Sequence, residues 1–467
     1  MITTIDHSVK EHIQKALEVA RRSNEAVIVS HISEVDAMDP LHFFNYGENL
    51  FLGERFYWSG PSTFTVVGLG NELVIETSDQ TTNRFRLIEN EWKRLNKQVL
   101  HSGSVSVGTG PLLFGGFSFD PIKSKSQLWN DFSEAKFFLP TIMLTNTKER
   151  SYLTVNKLIH PFDQLEDCIE HFTSYEINNL NFSHIRDCEK FNEFKLTELH
   201  KEEWLNAIVK AKEQIHAKQI DKVVLAREVH LLFNEKVDTY SVIDSLQKNQ
   251  PTSYIFAFEN GIQSFIGATP ERLVKKENHK VFSTCLAGSI KRGISVEEDK
   301  LLGHQLLTDD KNLLEHDIVV KMIKKALEDC CYDVVTPDKP KLMKTKNIQH
   351  LYTPVEGFAR EDHSLLSMVE RLHPTPALGG YPKHAAIEKI RELEPMHRGW
   401  YAGPIGWLDA YDNGEFGVAI RSGLIEGNKV ALFAGCGIVG ESVPELEYVE
   451  TQIKLKPMMT ALGGIKA

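Results

Sequence analysis

The amino-acid sequence predicts a large protein of mixed α and β structure, and three observations support this class. The chain has 467 residues, a length at which α/β folds occupy one or two large units. Short runs of β-forming residues alternate with loops through roughly the first 190 residues. Amphipathic helices, with apolar residues at helical spacing, follow in the second half.

The strands and the helix expected in the first half are separated by turn-forming residues. The predicted strands are Ala26–Ile32, Arg55–Trp58, Thr63–Val67, Leu112–Phe119 and Phe137–Leu144, and the predicted helix is Thr82–Asn96. Polar, acidic sequence from about Asp163 to Glu203 is the expected boundary between two portions of the chain, residues 1–195 and 196–467.

Composition and charge exclude several classes of partner. The chain carries 53 basic and 64 acidic residues, a net charge of -11, and has no basic stripe, so nucleic acids and anionic membranes are poor partners. The amino-terminal segment lacks an apolar signal core, and no apolar run approaches membrane-spanning length. Six cysteines without metal-ligand spacing are typical of reduced thiols, which predicts a cytoplasmic protein: Cys168, Cys188, Cys285, Cys330, Cys331 and Cys436.

A helix predicted from Asp309 to Glu328 carries a glutamate among apolar residues. Ile318 and Val319 follow Glu315 at helical spacing, which predicts that its carboxylate points inward. A buried carboxylate needs a cation, a hydrogen-bond network or a proton. A solvated acidic face or a plain ion pair is the alternative that spacing alone favours.

A second helix is predicted to begin at Ser442-Val443-Pro444-Glu445, a capping-box pattern with proline in the first turn. Glu447, Glu450 and Lys454 then share one face of this helix. Carboxylate oxygens are the ligands that Mg²⁺ prefers, so the glutamates of the two helices form a candidate metal site.

Two ionisable residues of the second half are candidates for proton transfer. Lys222 begins the apolar run DKVVLARE at 221–228, where desolvation could lower its pKa enough for it to act as a base. Glu271 follows a proline in GATPERL, where burial could make it a proton donor. For each residue alone, a solvated lysine or a turn glutamate is the more common situation.

Glycine-rich segments around cationic side chains predict close contact with a small anion. Arg421 offers a planar fork for a carboxylate, and Lys454 offers a second positive charge. For His350, Tyr401 and Gly437, taken one at a time, a structural role is the safer interpretation.

Several of these segments occur together in an order that resembles a known family. Over roughly residues 200–463 the chain is similar to the chorismate-utilising enzymes, most of all to the isochorismate synthases, in the segments KVVLAR, GATPERL, LAGS, DDKNLLEH, IQHL, HPTPALGG, YAGPIG, AIRSGLI, AGCGIV and PELEYVETQIK. ERFYWSGP at 54–61, LLFGGFSFD at 112–120 and the length itself resemble the longer isochorismate synthases of menaquinone biosynthesis.

This resemblance implies a fold of two packed, mostly antiparallel sheets with helices outside, as in anthranilate synthase and aminodeoxychorismate synthase. Residues 1–195 would contribute strands to the same body, and residues 196–467 would form the chorismate-binding catalytic region. The implied reaction is the reversible, Mg²⁺-dependent conversion of chorismate to isochorismate, and the implied protein is a cytoplasmic isomerase that acts as a monomer or homodimer.

The resemblance also assigns roles to particular residues. Lys222 would activate water for attack at ring carbon 2, and Glu271 would protonate the hydroxyl that leaves carbon 4. The remaining matches fall into a metal-binding set, Glu315 and Glu450 with Glu447 beside them, and a substrate-binding set, His350, Tyr401, Arg421, Gly437, Lys454, Ala287 and Gly288.

Departures from other members of the family separate the alternatives. Lys222 stands where anthranilate synthases carry glutamine, so no glutaminase subunit is expected, and Ala287 stands where aminodeoxychorismate synthases carry a nucleophilic lysine. A salicylate synthase, which goes on to eliminate pyruvate, remains an alternative. So does a non-catalytic chorismate-binding subunit, although that protein could dispense with Lys222 and Glu271.

Overall fold

The computed structural model describes residues 7–176, 180, 193–346 and 348–463. The helices are α1 His7–Ser23, α2 Pro40–Tyr46, α3 Asn83–Asn96, α4 Leu165–Ser174, α5 Lys201–His216, α6 Thr239–Asn249, α7 Val296–Thr308, α8 Asp310–Glu328, α9 Leu365–Leu372, α10 Lys383–Leu393 and α11 Pro444–Ala461.

The strands belong to two sheets. They are β1 Val27–Val35, β2 Arg55–Ser59, β3 Thr65–Leu69, β4 Leu73–Thr77, β5 Leu100–Ser102, β6 Leu112–Phe117, β7 Ala135–Leu139, β8 Ile142–Asn146, β9 Ser151–Ile159, β10 Phe194–Glu198, β11 Lys222–Phe233, β12 Tyr254–Asn260, β13 Gln263–Thr269, β14 Arg272–Glu277, β15 Lys280–Lys291, β16 Cys331–Val335, β17 Lys341–Lys344, β18 Ile348–Ala359, β19 Gly380–Tyr381, β20 Pro404–Asp409, β21 Gly414–Val418, β22 Ser422–Glu426 and β23 Lys429–Ile438.

Both sheets combine strands from the two ends of the chain. Among the described residues, the first sheet has 13 strands, in the order β10-β11-β23-β22-β13-β12-β2-β3-β8-β9-β1-β5, with β19 beside β11. The second has 10 strands, in the order β16-β18-β15-β14-β21-β20-β6-β7-β4, with β17 beside β18. The predicted fold of two mostly antiparallel sheets is confirmed; of the strand pairs described here, β1 with β5 is parallel.

Aromatic side chains fill the space between the sheets. Phe56 of β2 stacks on Phe114 of β6 at 4.3 Å, and Phe258 of β12 stacks on Phe138 of β7 at 4.6 Å. A second apolar cluster lies between the first sheet and helices α1, α2, α4, α6 and α11. Both faces of the first sheet are therefore buried, which explains why its strands are nearly continuous apolar runs.

Most predicted elements of the first half are confirmed, but the strand predicted at Phe137–Leu144 is wrong. The predicted strand is interrupted at Pro140. The strands on either side of it, β7 and β8, belong to different sheets. Proline lacks the N–H that a continuous strand would donate, and Thr141 instead donates its N–H to the carbonyl of Leu69. Strands β4, β5 and β9 were not predicted.

The two helices of the candidate metal site occur where the sequence predicted them, but the capping box is wrong. Val443 is the N-cap of α11 and makes no side-chain capping bond, whereas the Ser442 hydroxyl accepts the N–H of Val439 at 3.1 Å. Pro444 does occupy the first turn.

No helix within the described ranges is long and apolar enough to cross a membrane. The five described cysteines are buried and unpaired, and the sixth, Cys188, lies outside the described residues.

Candidate active site

Lys222 lies at the first residue of β11, next to the short strand β19. Its side chain is 12% exposed, and its ammonium forms an ion pair with the carboxylate of Glu315 from α8. Gly437 of β23 gives this side chain its room, because a Cβ there would lie 2.7 Å from Lys222 Cε. Gly437 therefore has a steric reason to be glycine as well as a predicted role in binding.

Glu271 lies in the two-residue connection between β13 and β14, where the chain passes from the first sheet to the second. Its N–H donates to Thr269 Oγ1 at 3.2 Å, and its carbonyl accepts the N–H of Val418 at 3.1 Å. The side chain is 6% exposed. Burial raises the pKa of Glu271 to about 7, against the opposing charges of nearby lysine and arginine side chains.

A cavity of about 100 Å³ lies beside Glu271. Five of the predicted site residues line it: Glu271, His350, Tyr401, Arg421 and Lys454. They come from segments between residues 271 and 454, so the fold brings together what the sequence separates.

Arg421 is held in an uncommon backbone conformation, with φ at 52°. For a side chain other than glycine this region costs energy and is concentrated at functional sites. The residue is 9% exposed, and its guanidinium forms no ion pair with any carboxylate of the described ranges. Burial lowers the pKa of Arg421, so this buried charge is short of a partner that an anionic ligand would supply.

His350 of β18 presents one ring nitrogen to the cavity. Its Nδ1 lies 2.7 Å from the hydroxyl of Ser289 on the neighbouring strand β15, and its buried Nε2 has no hydrogen-bond partner. Burial, together with Arg421 and Lys454, lowers the pKa of His350 to about 3. The ring is therefore neutral at physiological pH, and its Nε2 is left for a ligand.

The Tyr401 ring forms part of the cavity wall. It is 5% exposed and stacks on Phe433 with centroids 5.3 Å apart. Burial raises the pKa of its hydroxyl above the ordinary value, so Tyr401 is a neutral hydrogen-bonding group.

Ala287 and Gly288 lie next to the cavity but do not line it. The strand β15 is irregular between Leu286 and Ser289, and these two flanking residues form the wall instead. The carbonyl of Ala287 accepts the Nδ1–H of His316 from α8 at 2.9 Å. The two residues thus shape the wall and tie it to α8.

The expectation that the Glu315 carboxylate points into the core is wrong. The buried stripe of α8 consists of His316, Val319, Ile323 and Leu327, and Glu315 lies beside it with 31% of its side chain exposed. Ile318, which was expected to face inward, is 40% exposed. The helical period was correct, but the buried face is turned by one residue because His316 takes the inward position.

Glu447 and Glu450 are also partly exposed. Lys454 pairs with Glu450 at 2.6 Å, and its charge holds the pKa of the Glu450 carboxyl below its ordinary value. Burial raises the pKa of Glu447, and the nearby negative charge of Glu450 adds to the shift. These two carboxylates therefore lie within electrostatic reach of one another on a single helical face.

The carboxylates fit a magnesium ion by the chemistry of their donor atoms. Within the described part of the chain no three metal-binding side chains converge, and ammonium groups already lie on Glu315 and Glu450. Mg²⁺ commonly takes only one or two protein carboxylates and fills its shell with water and substrate. The ion pairs with Lys222 and Lys454 show that the carboxylate oxygens of Glu315 and Glu450 are placed to accept a cation.

The sequence reasoning missed a buried ion pair behind the cavity. Arg398, which also lines the cavity, donates to the carbonyls of Val224 at 2.8 Å and Leu378 at 3.0 Å and pairs with Glu394. Glu394 accepts the N–H of Ala226 at 2.7 Å. Arg398 directly precedes the YAGPIG region, in RGWYAGPIGW, and could have been predicted as a site residue. Its partner Glu394 follows the last residue of α10, in a segment without a recognisable motif.

Comparison with known proteins agrees with this geometry. The chorismate binding enzyme family matches residues 11–463. Isochorismate synthase MenF of Bacillus subtilis (strain 168) is 48% identical over 99% of each chain, and the salicylate biosynthesis isochorismate synthase of Pseudomonas aeruginosa is 33% identical over 98% of this chain and 95% of that one. The solved structure of the menaquinone-specific isochorismate synthase MenF from Escherichia coli shares the fold, with a TM-score of 0.77, 24% identity and coverage of 97% and 100%.

A two-sheet fold that encloses a small cavity lined by cationic side chains and a buried acid is typical of an enzyme that acts on a small anionic molecule. The chain belongs to the chorismate binding enzyme family, so the resemblance found in the sequence is confirmed.

Proposed function

We propose that the protein is an isochorismate synthase, an isomerase that interconverts chorismate and isochorismate for menaquinone biosynthesis. The observation that carries this proposal is Glu271, a buried carboxyl with its pKa raised to about 7, in a cavity that cationic side chains surround. Similarity over the full length to an isochorismate synthase, at 48% identity, supports the same activity.

The reaction exchanges one hydroxyl for another across a conjugated ring. Lys222 accepts a proton from water as the water oxygen bonds to ring carbon 2, the double bonds shift, and the bond from carbon 4 to its hydroxyl breaks. Glu271 donates its proton to this hydroxyl, which leaves as water. In the reverse direction the two residues exchange these roles, which a carboxyl with a pKa near 7 can do at neutral pH.

Substrate recognition follows from the charges of the cavity. Chorismate carries two carboxylates, and the buried guanidinium of Arg421 and the ammonium of Lys454 provide two cations for them. Tyr401 and the Nε2 of His350 offer neutral hydrogen bonds, as does the backbone around Gly437. Holding both carboxylates orients the ring between the base and the acid.

Glu315 and Glu450, with Glu447 beside them, would hold Mg²⁺. The ion, when bound, supplies positive charge for the ring carboxylate, which would otherwise meet a row of glutamates. We place the enzyme in the cytoplasm and expect it to act as a monomer or homodimer without a glutaminase subunit.

The test is to incubate the purified protein with chorismate and Mg²⁺ and to separate the products. We expect isochorismate, in an equilibrium that is also reached from isochorismate. Salicylate with pyruvate would identify a salicylate synthase, and no conversion would identify a non-catalytic binding protein. Lys222→Ala should abolish conversion, and an active variant would show that the base is another residue.

A further inference from the structure

Each of the two lysines in the proposed site is bonded to one of the proposed metal-binding glutamates. The ammonium of Lys222 lies on Glu315, and the ammonium of Lys454 lies 2.6 Å from Glu450. The two pairs join different elements: β11 with α8 in the first pair, and two successive turns of α11 in the second.

In these ion pairs the glutamates and lysines neutralise one another. During catalysis the glutamates would instead bind the metal ion, and the lysines would instead act on water and substrate. A carboxylate oxygen that accepts an ammonium offers fewer free electron pairs to a metal ion, and an ammonium held by a carboxylate is less available to a substrate anion. The pairs are also close to one another electrostatically, since Lys222 and Lys454 both act on Glu450 and on Glu271. One divalent ion could therefore replace both ammonium charges at the glutamates.

We propose that Lys222 and Lys454 are internal counter-cations of the metal site, so that Mg²⁺ entry displaces both lysines and releases them toward chorismate. This inference rests on the proposed function, and it adds how the metal and the substrate are coupled. Without metal, the glutamates hold the ammonium groups of both lysines in ion pairs. With metal, the Lys222 side chain is no longer held by Glu315 and can reach the attacking water, and the Lys454 ammonium is free for a substrate carboxylate.

The coupling has a thermodynamic consequence. A metal that frees the Lys454 ammonium for chorismate makes chorismate bind more tightly, and reciprocity requires chorismate to strengthen metal binding by the same factor. The lysines also weaken Mg²⁺ binding in the absence of chorismate, because the ion must compete with an ammonium that is always present at high local concentration. Removing a lysine should therefore improve metal binding by the free protein.

The experiment is a calorimetric titration of the metal-free protein with MgCl₂ in the absence of chorismate. Lys222→Met and Lys454→Met keep much of the side-chain volume and remove the charge, and we expect each to tighten Mg²⁺ binding about three- to tenfold. Lys321→Met is the matched control, because Lys321 pairs with Asp317 at 2.5 Å on the exposed face of the same helix α8, away from the site. Its Mg²⁺ affinity should equal that of the unchanged protein.

Unchanged or weaker Mg²⁺ binding by both site variants would overturn the inference. If Lys222→Met folds poorly, Lys454→Met decides alone, and the Mg²⁺-induced rise in its melting temperature gives a second measurement that should exceed that of the unchanged protein. The proposed function is tested separately by isochorismate formation in the unchanged protein. An active protein whose site variants bind Mg²⁺ no more tightly would reject this inference and leave the function standing.

Discussion

Glu271 owes its chemistry to its position rather than to its residue type. The connection between the two sheets is only two residues long, and both backbone groups of Glu271 are hydrogen-bonded, so its backbone is fixed where the side chain is buried. The surrounding cations only partly offset the cost of burying its charge, and a proton remains bound near neutral pH. The fold thus keeps Glu271 protonated near neutral pH, and burial of this carboxyl lowers the free energy of unfolding.

That cost can be measured with Glu271→Gln. Between pH 4.5 and about 7 the folded protein keeps a proton that the unfolded chain has lost, so its free energy of unfolding falls through this window and levels off above it. The amide variant does not titrate. Its stability relative to the unchanged protein should therefore rise by about 3 kcal/mol between about pH 4 and about pH 8.5, as measured by urea denaturation. Parallel stability curves would show that Glu271 is not the buried acid, and isochorismate formation should be lost at every pH.

Ser289 should act through the ring that it holds. Ser289→Ala removes the hydrogen bond to His350 Nδ1, a loss of about 1 kcal/mol, and so we expect kcat/KM for chorismate to fall about fivefold. Because the pKa of His350 is lowered to about 3, this ring does not titrate near neutral pH, and the shape of the pH profile should not change. Ser289→Thr retains the hydroxyl and should restore most of the activity. Equal losses in both variants would indicate that the hydroxyl is not the important group.

Single residues of the site could be predicted from the sequence only where a motif fixed them. Glu271, Arg421 and His350 lie in such motifs and do meet at one cavity. Ser289 lies within LAGS, but that segment alone does not indicate its role, which depends on the cross-strand register with β18. The depth of the glutamates could not be predicted, since periodicity gives the angle between side chains but not the direction of the core.

At the scale of elements, a buried ion pair replaces a missing strand beside β11. On the edge away from β23, β19 covers Lys222 and Val223, and β10 begins to pair only at Val229. Between them the Val224 carbonyl and the Ala226 N–H bond to Arg398 and Glu394 instead. The ion pair thus supplies hydrogen-bond partners to backbone groups that would otherwise lie at an open sheet edge. These groups begin two residues after the proposed base, Lys222, so the pair helps to fix the strand that directs its side chain.

Breaking this pair should be costly. Glu394→Gln leaves Arg398, which is 3% exposed, without a counter-charge, so we expect a loss of about 3 kcal/mol in the free energy of unfolding, measured by urea denaturation. Glu392→Gln, two residues earlier in the last turn of α10, is the matched control, because Glu392 is about half exposed and its replacement should change stability by less than about 0.5 kcal/mol. Similar losses for both variants would contradict the role given to the pair.

At the scale of the whole molecule, the sequence indicated the class of fold but not which strands are neighbours. The family resemblance implied two antiparallel sheets, and the alternating pattern located most strands of the first half. The partners of those strands are far away in sequence, as where β2 pairs with β12 and β6 pairs with β20. No local pattern specifies such pairings, because they depend on the packing of both sheets around a shared aromatic core.

This topology predicts that residues 196–467 do not fold alone. Without residues 1–195, β12 and β20 become open edges, and the buried Glu259 loses its ion pair with Arg55, at 2.7 Å in the intact fold. We expect the fragment to be insoluble, or soluble without a cooperative unfolding transition. Co-expression of residues 1–195 with 196–467 should restore a soluble, active complex, because the two fragments together supply both sheets and the cut divides only the edge strand β10. A lone fragment 196–467 that unfolds cooperatively and makes isochorismate would show that the first 195 residues are a separable addition rather than half of the body that positions Lys222 and Glu271.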